Sequence, residues 1–184
     1  MNTEVRLATL ADLDGVKALL AKYHVNSIDP EEKKDGFVTT NATDEQLCDL
    51  IEKEKGVMVG VKDGRVVAFA LAASWQYWSA WPFFAYMIEH LDEYNLGGAK
   101  FTVDNSYQYG PVCVDSSERG TGLFERIFAA SLESMSGRYP YMVTFINHIN
   151  PRSYAAHTRK VKTTDCGTFD YNNNHYHLMA CLTK

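Results

Sequence analysis

The chain has 184 residues, 46% of them hydrophobic and 22% charged, with a formal net charge of −5. That length buries the core of one domain, so residues 1–184 read as a single unit. The acidic balance argues against a nucleic-acid surface, which needs clustered Lys and Arg, and no apolar run reaches the length of a membrane span.

In chain order, the polar start Met1-Asn2-Thr3-Glu4 is no signal peptide. Residues 5–9 read as a short strand. Over 11–23 the apolar positions Leu13, Val16, Leu19, Leu20 and Tyr23 line one face of a helix. Residues 24–41 are polar and charged, a loop with a helical turn. Thr43 and Gln46 form a capping box for a helix carrying Leu47, Leu50 and Ile51. Residues 57–61 and 66–73 flank Lys62-Asp63-Gly64-Arg65, a hairpin signal centred on Asp-Gly.

The segment 75–106 is the most individual part of the chain and holds all three tryptophans, Trp75, Trp78 and Trp81. A helix is expected over 82–94, with Leu96-Gly97-Gly98-Ala99 as its stop. Next comes a strand over 108–114 containing Gly110-Pro111; a proline there marks a bulge or an edge. A second hairpin is expected from 167–171 and 175–182 around Asn172-Asn173-Asn174. Cys48, Cys113, Cys166 and Cys181 show no C-x-x-C pair, which fits reduced thiols in a cytoplasmic protein.

Arg119-Gly120-Thr121-Gly122-Leu123-Phe124 carries the most chemical information. It follows the apolar run Val112-Cys113-Val114 and opens an apolar-periodic segment through Met135. A strand, a glycine turn and a helix start together make an anion site, because the first helical amides are free and the dipole favours negative charge. A Walker loop is excluded, since Leu123-Phe124 stands where Lys-Ser/Thr is required. Asn150-Pro151-Arg152-Ser153-Tyr154-Ala155-Ala156-His157 follows the strand expected at 141–146, with Asn150 as N-cap and Pro151 in the first turn.

These two motifs in this order resemble the GCN5-related N-acetyltransferase (GNAT) superfamily. Its coenzyme A loop reads Gln/Arg-x-x-Gly-x-Gly/Ala; Arg119 holds the first position and Gly122 the fourth, while Phe124 replaces the small sixth residue. Its later motif, Asn-x-x-Ala/Ser-x-x-x-Tyr, is matched by Asn150 and Ser153, with His157 at the Tyr position and a tyrosine instead at Tyr154. The resemblance implies a single α/β domain with a mixed, mostly antiparallel sheet of about seven strands and helices on both faces. A V-shaped cleft would open between the fourth and fifth strands, 108–114 and 141–146, and the segment 75–106 would be an insertion.

By the same resemblance, acetyl-CoA would place its pyrophosphate on Arg119, Gly120, Thr121, Gly122, Leu123 and Phe124. Its pantetheine would run along Val112, Cys113 and Val114, with further contacts from Asn150 and Ser153. The acceptor would be an amine of a small molecule or peptide, attacking directly. Neither nucleic acid nor membrane is a partner on this reading, and a homodimer is compatible with it. A catalytically idle acyl-CoA-binding module is the competing reading.

The chemistry sets further demands. An alkylamine with pKa about 10.4 is neutral in roughly one molecule in 10³ at pH 7, a deficit of roughly 4–5 kcal/mol. Asp104, Tyr107 and Tyr109 are candidates for the base. Tyr154 and His157, on one helix face at i, i+3, are equal candidates for the acid that protonates the departing sulfur. Aromatic residues in the insertion, Trp75, Tyr77 and Trp78, would wall the acceptor pocket, and Glu89 would pair with an ammonium; packing of the extra helix explains the same aromatics. His175 and His177 share a strand face, and His148 and His24 could join them, but no spacing is diagnostic and no metal is expected.

Overall fold

The computed structural model describes residues 2–184. The chain begins with β1 (Glu4–Leu7) and α1 (Leu13–Tyr23), whose Val16, Leu19, Leu20 and Tyr23 are buried on one face. Asp12 fixes the entry to α1 by accepting from the Thr9 amide at 2.8 Å and pairing with Arg6. Next is α2 (Asp44–Glu52), whose capping box is complete: Thr43 Oγ1 accepts from the Gln46 amide and Gln46 Oε1 from the Thr43 amide. The Asp-Gly hairpin joins β2 (Val57–Lys62) and β3 (Arg65–Ala73).

The insertion folds as α3 (Trp75–Trp78), α4 (Pro82–His90) and a small hairpin of β4 (Asn95–Leu96) and β5 (Ala99–Lys100). Two expectations are corrected here. The helix of 82–94 is α-helical only to His90 and ends in a 3-10 turn, Leu91–Glu93. The glycine pair is a hairpin turn, with Gly97 and Gly98 at φ 60° and 88°, and not merely a stop. The remainder is β6 (Ser106–Val114), α5 (Leu123–Met135), β7 (Tyr141–Asn147), α6 (Pro151–Ala155) continuing as a π-turn over Ala156–Lys160, β8 (Thr164–Tyr171) and β9 (Asn174–Leu182).

The strands form a seven-stranded sheet in the order β1-β2-β3-β6-β7-β9-β8. The pairs β1–β2, β2–β3, β7–β9 and β8–β9 are antiparallel and β6–β7 is parallel, the mixed, mostly antiparallel α/β class expected. The β6–β7 ladder registers only Ser106–Gln108 against Tyr141–Val143, then stops, whereas β7 pairs with β9 along its whole length. No helix among the described residues is long and apolar enough to cross a membrane.

The chain divides into two compact units: residues up to Ala72 with Gly110–Ser134, and Ala73–Tyr109 with Met135–Lys184. The first holds α1, α2, the β2–β3 hairpin and α5 up to Ser134. In the second, α3 is latched to β6 by its two buried indoles. Trp75 Nε1 donates to Ser106 Oγ at 3.0 Å, and Trp78 Nε1 donates to the Gln108 carbonyl at 3.2 Å. Phe83 of α4 then packs among Phe145, Tyr171 and Tyr176 of the strands, with ring centroids 4.9–5.3 Å away. Such tilted and edge-on aromatic pairs add to simple area burial.

Candidate functional site

The first unit carries the glycine loop. Asp115 at the end of β6 is tied down by Lys22 Nζ at 2.8 Å and by the Ser117 amide at 3.0 Å. Burial pushes its carboxyl up, but these partners outweigh burial and hold it at about 2. Tyr23 Oη accepts from the Ser116 amide at 2.8 Å, so α1 fixes the exit of the strand. The buried Glu118 is neutralised by Lys62 Nζ at 2.7 Å, and Thr121 Oγ1 closes the turn onto the Glu118 carbonyl.

Gly120 and Gly122 have φ +75° and +81°, a region L side chains rarely adopt, and no atom lies within 4 Å of where a Cβ would stand. The Arg126 amide donates to the Gly122 carbonyl at 3.2 Å, so the first turn of α5 starts on the second glycine of the loop. Leu123 is buried and anchors the helix start, and Phe124 is half-buried. Arg119 lies 3.3 Å from Asp35 with its guanidinium over the Tyr23 ring. An open glycine cradle, a helix start and a tethered arginine fit a pyrophosphate.

Val112 and Val114 are half-buried on β6, while Cys113 between them is buried. Burial pushes the Cys113 thiol up to about 12, which removes it as a nucleophile at neutral pH.

The second unit carries the histidine and tyrosine of the later motif. Asn150 caps α6 by accepting from the Ser153 amide at 3.3 Å. His157, one π-turn on, is only 3% exposed, and its Nδ1 lies 2.8 Å from the Ser153 carbonyl oxygen. A carbonyl accepts only, so Nδ1 carries the proton and Nε2 the lone pair. Burial lowers the pKa of this imidazole, partly opposed by the Ser153 carbonyl. The Tyr109 ring stands edge-on to it at 6.3 Å.

Tyr154 points elsewhere. Its hydroxyl donates to Asp165 Oδ2 at 3.1 Å, and that bond to the carboxylate raises the phenol. His177 Nδ1 lies 2.8 Å from the same carboxylate oxygen without the geometry of a hydrogen bond, and His148 stacks on His177 with centroids 4.1 Å apart. His175 lies against His148 and Asp170. Desolvation, then the neighbouring His177 and His175, lower His148. No group of three among the described residues has the arrangement of a metal site, and His24 belongs to the first unit.

The candidate bases separate as well. Tyr107 and Tyr109 are 0% and 1% exposed, and burial raises both phenols, which makes them poor proton acceptors; Asp104 lies at the surface. In the insertion, Trp75 and Trp78 are fully buried packing anchors, Tyr77 is half-buried against Trp78 and Trp81, and Glu89 is exposed on α4. Spacing gave no hint of Asp165, Asp35 or the side chain of Gln108. Asp165 and Asp35 come to their partners from different elements, which only the fold assembles, and Gln108 turns onto the carbonyl of the next residue of its own strand.

No family model and no curated protein matches the sequence. Solved structures do match the fold. The chain is similar to an N-acetyltransferase from Staphylococcus aureus Mu50, with TM-score 0.64, 19% identity and 100% of both chains covered. It is similar to a GNAT-family acetyltransferase from Streptococcus agalactiae 2603, with TM-score 0.63 and 14% identity over 98% of this chain and 95% of that one. YncA from Salmonella typhimurium, solved with its cofactor acetyl-CoA, gives TM-score 0.65 and 14% identity over 100% of this chain and 95% of that one. The chain has the GCN5-related N-acetyltransferase fold.

Proposed function

We propose that the chain is a single acyl-CoA-dependent N-acetyltransferase domain acting in the cytoplasm on an amine of a small molecule or peptide. The observation that carries this reading is the glycine loop at Arg119–Phe124, open on its outer side at the start of α5. The amides of this loop and Arg119 would hold the pyrophosphate of acetyl-CoA, and Val112 and Val114 would flank its pantetheine arm. Acetyl-CoA, when bound, supplies the acyl group and departs as the free thiol.

His157 suits a proton shuttle better than a resting acid. Its neutral Nε2 accepts a proton from the amine as the C–N bond forms, and the imidazolium returns it to the sulfur as the C–S bond breaks. Both steps balance, and the imidazole ends as it began. A general base of this kind is worth about 10²–10⁴ in rate. Tyr154, held by Asp165, serves as a positioning residue for α6 on this scheme.

The test is calorimetry with CoA, followed by a thiol-release screen of acetyl-CoA against amines, polyamines, amino acids, aminoglycosides and peptides. Binding with release supports the transferase. Binding without release from any amine supports the idle acyl-CoA module. Absence of CoA binding removes both.

A further inference from the structure

The β6–β7 ladder stops abruptly, and one side chain stands where it ends. The Tyr141 amide donates to the Asn105 carbonyl at 3.1 Å, which sets the phase of this parallel pair. Groups facing β7 therefore recur at every second residue of β6: Asn105, Tyr107, then Tyr109. The Tyr109 carbonyl is the next acceptor in line, and the Phe145 amide is its natural donor, two residues after Val143. The ladder does not take that step. Instead the Tyr109 carbonyl accepts from Gln108 Nε2 at 2.8 Å. The orientation of this carboxamide is fixed, because the reverse would set two acceptor oxygens against each other.

Gln108 is 4% exposed, and its Oε1 has no hydrogen-bond partner among the described residues. A buried amide oxygen left bare keeps its full desolvation penalty, so such an atom calls for a donor. Its own Nε2 sits on a carbonyl that faces β7, which places the carboxamide at the point where the strands part.

We propose that Gln108 is a positioning residue with two tasks. Its Nε2 ends the β6–β7 ladder by occupying the Tyr109 carbonyl, and its Oε1 accepts an N–H from the ligand that enters the opening. The second task rests on the acyltransferase reading above. The ligand chemistry is a neutral N–H donor, supplied either by an amide of the pantetheine arm or by the acceptor amine. An ammonium is disfavoured there, since a neutral carboxamide cannot offset a buried charge.

Gln108→Met keeps length and apolar bulk but removes both hydrogen-bonding functions, and Gln108→Asn keeps the amide but draws it back by one methylene. Amide exchange is followed at Phe145 in the ligand-free variants. Release of the Tyr109 carbonyl should let the Phe145 amide bond to it and slow its exchange about tenfold, the scale of one net hydrogen bond. CoA is then titrated calorimetrically. Slowed exchange with about tenfold weaker CoA binding names the pantetheine amide as the donor. Slowed exchange with unchanged CoA binding names the amine. Unchanged Phe145 exchange in both variants overturns the proposal, whatever the CoA affinity. Wild-type protein that fails to bind CoA removes the acyltransferase reading and leaves the exchange measurement to decide the first task.

Discussion

His157 donates its Nδ1–H to the Ser153 carbonyl oxygen 2.8 Å away, and this contact fixes the tautomer, with the lone pair on Nε2. The group is buried and its pKa is lowered from 6.5, so the imidazole is neutral through the physiological range. A base must be unprotonated to work. Activity, read as kcat/KM per neutral amine so that the substrate's own titration is divided out, should therefore hold above pH 6.5 and fall on acidification, with a midpoint below that value. His157→Gln should lower kcat by about 10²–10⁴ and abolish this acid limb. An acid limb that survives in the variant would remove His157 from the proton path.

Gly122→Asp places a Cβ and a carboxylate at φ +81°, where L side chains are strained and where the pyrophosphate would lie. Calorimetry should show CoA binding lost while the fold, by circular dichroism, is retained. Unchanged affinity would move the cofactor to another part of the chain.

The parts of this molecule that were legible in the sequence are those built from near neighbours. The capping box at Thr43, the Asp-Gly hairpin, the periodic faces of α1 and α5 and the glycine loop each follow from residues a few positions apart. The α4 end at His90 and the β4–β5 hairpin were harder, because the run from Leu91 to Ala99 has no clear period. The choice between Tyr154 and His157 was open in the sequence, since both lie on one helix face. Asp165, eleven residues beyond Tyr154 on β8, takes the phenol, and that partner comes only with the folded hairpin. Gln108 gave no signal at all, because its importance lies in the phase of a ladder and not in its neighbours.

Acid stability offers a test of how β6 is anchored. Lys22 and Ser117 hold Asp115 at about 2, against 3.8 ordinarily. A carboxyl with a depressed folded pKa contributes stability that is complete above its unfolded value and is lost as pH falls through the folded one. Urea titrations should therefore show about 1–2 kcal/mol lost between pH 5 and 2 from this group. In Asp115→Asn the stability at pH 6 should drop by a similar amount and that portion of the pH dependence should vanish. A variant with the wild-type slope would show that the Lys22 contact carries little.

Trp78 and Glu89 separate packing from acceptor choice within the insertion. Trp78 is 1% exposed and its indole N–H is taken by the Gln108 carbonyl, so its measurable role is in packing. Trp78→Phe keeps a ring but leaves that carbonyl bare, and should cost about 1–3 kcal/mol of stability by urea unfolding. Glu89 is exposed on α4, and Glu89→Gln should change stability by less than about 0.5 kcal/mol. If Glu89 holds a second ammonium of the acceptor, this variant should raise KM for diamines and polyamines several-fold and leave KM for monoamines unchanged. The distinction is sharp because a carboxamide of the same shape keeps every contact except the charge. Equal KM values for all amines would make the acidic face of α4 a solvated surface, and acceptor choice would then rest on Tyr77 and its neighbours.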